Sequence, residues 1–299
     1  MSTLAPEDTA HHTLSPDLLP LAVANVKDGF RTRWYRSRSF VAGLAILGVI
    51  IGLCTFAPLL TPYSPTQQDL THVLQPPSAQ HILGTDQLGI DMWSLLLYGG
   101  RTDLRIAFLA VILPFILGTT LGCLAGYYGR GVDVGVMRLV DIVVAFPFYV
   151  LVIALVFAIG PGERGIYIAI TIVGWVSYAR IVRGEILVAK QQDYVLAARA
   201  AGFGAPRIMV RHLLPNVITQ AIVFATADVV LDILAIVTLG YLGLGVPPPI
   251  PDWGRMIFNG QQFLTTQWQL ATFPGLAVVV TGVGLALLGD GLSDLLRPE

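Results

Sequence analysis

The sequence predicts an all-α, polytopic membrane protein with six transmembrane helices, on three observations. First, 55% of the 299 residues are hydrophobic and only 12% are charged, with a mean hydropathy of +0.71. Soluble domains carry about 25% charged residues, so lipid must cover much of this surface. Second, the chain holds repeated apolar runs near the roughly 20 residues that a spanning helix needs. Third, Lys and Arg fall unevenly between the connecting segments, as expected of a chain oriented in a bilayer.

The predicted spans are Phe40–Leu60, Ile106–Gly126, Leu139–Ile159, Gly165–Leu187, Val217–Val237 extending towards Leu244, and Ala271–Gly289. The first follows a long polar lead and is too long for a signal-peptide core, so it is expected to stay as an anchor. Arg180 and Arg183 interrupt the end of the fourth span, where snorkelling to the headgroups accommodates them. With the N-terminus placed inside, only Arg101, Arg105, Arg164 and Arg255 of the 18 Lys and Arg residues fall outside. Both termini and the Gln191–Asn216 loop are then cytoplasmic.

Ahead of the first span, Leu19, Val23, Val26, Phe30 and Trp34 recur at helical spacing and predict an amphipathic helix in the membrane surface. Residues 1–17 read as a disordered tail. Gly118, Gly122 and Gly126 form a small-xxx-small ridge that lets helix backbones touch. Pro114 and Pro147 are expected to kink their spans. Leu242–Gly254, LGLGVPPPIPDWG, cannot continue a helix because its prolines lack N–H donors, and is expected to form a structured outer loop.

The most distinctive stretch is QQDYVLAARAAGFGAPRIMVRHLLPN, Gln191–Asn216. It is polar, alanine-rich and basic, wedged between apolar runs. Asp193 can cap a short helix running from Tyr194 to Ala201. Gly202 suits a positive-φ position after it. Pro206 starts a second short helix, which Pro215 ends. Ala197, Ala198, Ala200 and Ala201 make a slim helix for a groove to grip. Leu196 and Phe203 offer apolar anchors, and Arg199, Arg207 and Arg211 offer charge to acidic groups or lipid phosphates. An ordinary basic inter-span loop is the competing reading.

This loop resembles the EAA loop of permease subunits of ATP-binding-cassette (ABC) importers. Ala197, Ala198, Gly202, Leu214 and Pro215 match; Leu196 replaces the glutamate and His212 the isoleucine. The likeness extends from about residue 40 to the end. It is strongest with the second permease of dipeptide, oligopeptide and nickel importers. The strings that carry it are His81–Leu104, Met137–Pro147, Gly174–Leu187, Tyr241–Gly254, Ala271–Gly282 and Leu288–Pro298. Ser293 stands where this branch commonly has arginine, and Ile236 where an acid is frequent, with Asp228 and Asp232 earlier in the span.

The resemblance implies the transmembrane domain of a type I ABC importer in a prokaryotic cytoplasmic (inner) membrane. It divides the chain into a cytoplasmic tail (1–39), the first transmembrane helix (40–60), a periplasmic segment (61–103), a permease domain (104–294) holding the coupling loop (190–215), and a cytoplasmic C-terminus (295–299). It implies coupling to an ATPase through Leu196, Ala197, Ala198, Arg199, Gly202, Leu214 and Pro215. The implied partners are a homologous permease forming a heterodimer, two cytoplasmic ATP-binding subunits that hold ATP and Mg, and an extracytoplasmic substrate-binding protein. No nucleic-acid partner is implied.

The residues themselves are consistent with this. No Gly-x-x-x-x-Gly-Lys-Ser/Thr phosphate loop occurs, so the chain shows no ATP site of its own and needs no cofactor. His72, His81 and His212 lie scattered among loops, no nucleophile–base–orienter set emerges, and no Cys/His cluster has metal-ligand spacing. Cys54 and Cys123, within apolar runs, read as core residues. Trp34, Trp93, Trp175, Trp253 and Trp268 need no special role, several falling at membrane boundaries. Asp141 is expected to pair with Arg138 at a boundary. Asp228 and Asp232, one turn apart, share a helix face. Intramembrane carboxylates are costly and favour a protein interior or an aqueous cavity, which makes the pair a candidate for the substrate path, with an interhelical bond as the alternative. The expected solute is a di- or oligopeptide. Nickel or another small solute is the alternative of the same architecture, and a proton-coupled secondary carrier is the alternative of another class.

Overall fold

The computed structural model describes residues 37–296. The amphipathic helix expected before Phe40 lies outside the described residues. Helix α1 (Arg38–Thr55) starts at Ser37, whose side chain accepts from the Phe40 N–H at 3.3 Å. It ends at Phe56 and is followed by the single turn α2 (Ala57–Leu60), so the first predicted span is shorter than its apolar run. An irregular segment then leads to α3 (Met92–Ala110) and α4 (Ile112–Tyr128). These two make one 37-residue rod, Met92–Tyr128. Its join sits at Val111, one turn before Pro114, which has no N–H to return to Ala110.

The third predicted span is not one helix. Leu139–Ile159 is divided between α5 (Arg130–Val144) and α6 (Phe148–Ile159), which meet at an 88° bend. Pro147 lacks a donor and restricts the backbone of Phe146 before it, so the apolar run continues while the helix axis turns. Alone, α6 has 12 residues, about 18 Å, short of the ~30 Å hydrocarbon core. The described residues therefore hold five helices able to cross a membrane, or six when the bent pair counts as one.

Helix α7 (Glu163–Ala189) runs against α4 along the glycine ridge. A Cβ at Gly122 would lie 2.5 Å from the Ala179 carbonyl oxygen, and one at Gly126 would lie 2.7 Å from Ile186. The ridge thus does what its spacing predicts, because only glycine permits this approach. The short helices α8 (Asp193–Ala200) and α9 (Ala205–Ile208) lead into α10 (Leu214–Tyr241). After the proline-rich loop comes α11 (Trp253–Gly260), and α12 (Gln269–Leu296) returns to pack on α1 and α10. Leu44, Val49, Leu113, Ile116, Phe157 and Val279 are exposed apolar residues, and they suit a lipid-facing surface.

Candidate coupling loop, buried carboxylates and outer knot

Three sites hold the candidate functional side chains. The first is the loop between α7 and α10. Lys190 closes α7, and its Nζ donates to the Gly126 carbonyl at 2.8 Å, tying the loop to the end of α4. Helix α8 is preceded by Gln192, which makes no side-chain cap bond; Asp193 lies inside the first turn instead of capping it. An acid there still favours the N-terminal end of the helix dipole. The end of α8 is as expected. Gly202 has φ +77°, its N–H reaches the Arg199 carbonyl at 2.9 Å, and the Phe203 N–H reaches the Ala198 carbonyl at 3.2 Å. This is a Schellman closure, which needs the left-handed residue.

Pro206 opens α9 as predicted. Pro215 does not end it. Instead a π turn, Met209–Leu213, carries the chain into α10, and Ala205–Tyr241 is one 37-residue helical stretch. The Leu214 N–H reaches back to Met209. Pro215 then falls in the first turn of α10, where its missing donor costs little.

The loop is braced on its inner side. Val195 and Ala198 are buried. Arg199 lies over the Tyr127 ring at 5.3 Å, and Arg207 over Phe203 at 4.2 Å. Phe203 stacks on His212 with centroids 5.8 Å apart, so it is occupied within the loop and is not a free anchor. Asn216 donates to the Tyr194 hydroxyl at 3.2 Å. The outward face presents Leu196, Ala197, Arg199 and Gly202, with Pro215 also exposed and Leu214 half-buried. Of the predicted coupling residues only Ala198 points into the protein.

The second site is the carboxylate pair on α10. Asp228 is 8% exposed and Asp232 2%. The Tyr178 hydroxyl on α7 donates to Asp228 Oδ2 at 2.7 Å. Phe115 and Phe224 meet the Tyr178 ring edge-on at 5.5 and 5.0 Å. Asp232 Oδ2 has no partner among the described residues. The two acids share the α7-facing side of α10, closed off within this chain. Nearby expectations about charge are revised. Arg183 grips Asp133 of α5 with two hydrogen bonds, one of them 2.7 Å long, a partner the sequence did not indicate. Arg138 and Asp141 form no ion pair with each other, and Asp141 is exposed.

The third site went unrecognised in the sequence. At the end of the helices away from the 190–215 loop, Asp91 caps α3 by accepting from the Ser94 N–H at 2.8 Å, and its other oxygen meets His81 Nδ1 at 2.9 Å. The Ser94 hydroxyl bonds Asp91 at 2.9 Å and also contacts the Thr61 hydroxyl. Asp252 caps α11 through the Arg255 N–H at 2.8 Å. Asp103, fully buried on α3, accepts from the Trp253 N–H at 2.9 Å, while Trp253 Nε1 donates to the Leu96 carbonyl at 2.9 Å. Trp253 is therefore a buried wedge. Gly100 makes room for it: a Cβ there would lie 2.5 Å from the indole. Burial holds the Asp252 and Asp86 carboxyls above the ordinary carboxylate range. The only sequence signal for this knot was the residue types themselves, since its bonded partners lie up to 157 positions apart.

Bent and broken apolar helices packed on a glycine ridge, with a braced polar helix pair at one end and a folded loop at the other, define a polytopic all-α membrane protein. The chain belongs to the family of binding-protein-dependent transport system inner membrane components, which it matches over residues 118–299. Residues 27–77 match the N-terminal TM domain of oligopeptide transport permease C. It is thus an ABC importer permease, a transport component and not an enzyme. The dipeptide transport system permease protein DppC of Alkalihalophilus pseudofirmus is 38% identical over 93% of this chain and 91% of its own. The di/tripeptide transport system permease protein DppC of Pseudomonas aeruginosa is 38% identical, with coverages of 88% and 89%. The glutathione transport system permease protein GsiD of Pectobacterium atrosepticum is 36% identical, with 92% and 93% covered. An inward-facing structure of the MetNI methionine ABC transporter aligns with a TM-score of 0.55 at 20% identity, covering 68% of this chain and 97% of that one. That likeness concerns the fold alone.

Proposed function

We propose that this chain forms, with a homologous permease, the translocation path of an ATP-driven importer of di- or oligopeptides. Its coupling loop docks into one of two cytoplasmic ATPase subunits, which bind ATP and Mg, and an extracytoplasmic binding protein delivers the solute. The observation that carries this reading is the division of the 190–215 loop. One side is pinned to α4 and α10, with Arg199 held over Tyr127, and the other leaves Leu196, Ala197 and Gly202 free on an outward face. A braced loop passes a push to the spans, whereas a slack one would absorb it. The charge asymmetry supports both termini inside, with the tail (1–39) and C-terminus (295–299) flanking the permease domain (104–294). The peptide substrate rests on the names of the relatives.

Asp228 and Asp232 belong to the wall of the path in this reading, reached by solute in conformations that part α7 from α10. The unpartnered Asp232 oxygen supports that role. The test replaces Ala197 with cysteine and cross-links it in the assembled transporter, together with uptake of labelled peptide in competition with unlabelled peptide and with nickel. Cross-links to an ATPase and vanadate-sensitive peptide uptake are expected. Uptake that ignores vanadate and follows the proton gradient would instead identify a secondary carrier. Competition by nickel alone would reassign the solute.

A further inference from the structure

The outer end of the chain holds a cavity of about 160 Å³ between the 61–91 segment, the proline loop and α11. One water needs only about 10–15 Å³, so there is room for an organic molecule. Met92, Leu95, Pro248 and Pro249 line it with apolar surface. The charged lining residues are Asp86, Asp252 and Arg255. Two carboxylates face one guanidinium, which leaves the lining one negative charge in excess.

The polar groups are also under-used. Asp252, 2% exposed, has an Oδ2 with no hydrogen-bond partner among the described residues; the Arg255 Nε stands 3.9 Å away. Arg255 is itself engaged, donating to the Val246 carbonyl. Asp86 commits Oδ1 to the N–H groups of Leu88 and Ile90, both at 2.8 Å. Its other oxygen, like the half-buried Asn259 side chain, makes no hydrogen bond within the described residues.

We propose that this cavity is a binding site for a small organic monocation: a primary ammonium that carries an apolar group. The ammonium neutralises the excess charge by donating to the uncommitted Asp86 oxygen and to the Asn259 amide oxygen, while the Asp252 carboxylate, buried in the wall, adds its charge without a direct bond. The apolar group fills the Met92–Leu95–proline pocket. A hard metal ion suits the cavity poorly, since it requires six or more oxygen ligands. Burial holds both carboxyls above their usual range, and a bound cation would relieve that cost.

The test titrates the full chain in nanodiscs with isoamylammonium, with isoamyl alcohol as the neutral counterpart and methylammonium as the cation without an apolar body. Saturable binding of isoamylammonium is expected, with each control weaker by about tenfold or more. L-Leucinamide distinguishes a peptide amino-terminus from a simple amine as the natural source, and tighter binding of either supports the site. Asp86→Asn keeps the Oδ1 acceptor for the loop and should weaken isoamylammonium by about tenfold at an unchanged melting temperature. Asn259→Trp, at the rim, should abolish binding by filling the mouth. Equal affinity for the alcohol or for methylammonium, or full affinity in a folded Asp86→Asn chain, would overturn the proposal.

Discussion

The α4–α7 seam gives the sharpest quantitative test of the fold. In Gly122→Ala the new methyl would sit 2.5 Å from the Ala179 carbonyl oxygen and 3.0 Å from its Cα. Ordinary contact begins at 3.4 Å, so the helices must part by ~0.9 Å, and a close-packed interior resists that. The obstructing atoms are backbone and cannot rotate away. Alanine is intrinsically better than glycine in a helix by about 0.5–1 kcal/mol, whereas overpacking costs about 1–3 kcal/mol. Because the obstructing atoms are backbone, the clash should win, giving a net loss of up to about 2.5 kcal/mol. Gly135→Ala on α5 is the control, because nothing lies within 4 Å of a Cβ there. It should raise stability by up to about 1 kcal/mol. Thermal unfolding of the two variants in one detergent reads the difference. If both move stability in the same direction and by the same amount, the close approach of α4 and α7 is wrong.

Tyr178→Phe removes the donor to Asp228 and should cost about 1–3 kcal/mol of stability, measured by the same unfolding assay. Tyr178→Phe combined with Asp228→Leu should recover part of that loss, since both polar partners are then gone. Asp252→Asn keeps an N-cap of similar quality, whereas Asp252→Ala loses about 1 kcal/mol. The raised Asp252 carboxyl holds its proton to higher pH in the folded chain than in the unfolded one. Its ionisation therefore subtracts stability as pH rises from the unfolded value near 3.9 to the folded one. Asp252→Asn should flatten that part of the melting-temperature profile, and an unchanged slope would argue against a buried charge. Gly202→Asp, at φ +77°, should leave insertion intact but separate ATP hydrolysis from uptake in the reconstituted complex; normal uptake would count against the docking model.

The spans were legible because lipid imposes a length of about 20 apolar residues on any helix that crosses it. The glycine ridge was legible because its four-residue spacing is itself the geometry of a helix face. Hydropathy reads composition and not direction, so the bend at Pro147 was hidden inside one unbroken apolar run. The early start of α3 was hidden for the opposite reason: Arg101, Asp103 and Arg105 made a helical stretch look like a loop. Gly202 could be placed from its residue type, since a left-handed turn selects glycine. Pro215 misled because a proline in a first helical turn and a proline after a last one look alike in sequence. The outer knot required knowing that Asp103 and Trp253 meet, which local pattern does not encode.

The π turn has a mechanical consequence. By letting the chain pass Pro215 without a joint, it makes Ala205–Tyr241 a single strut of 37 residues, about 55 Å long. One end begins with α9, and the other abuts Asp252 and Gly254 beside the cavity lined by Asp86 and Pro248. A rigid-body tilt of such a strut moves both of its ends at once, so the π turn and the neighbourhood of Gly240 are tied to one motion.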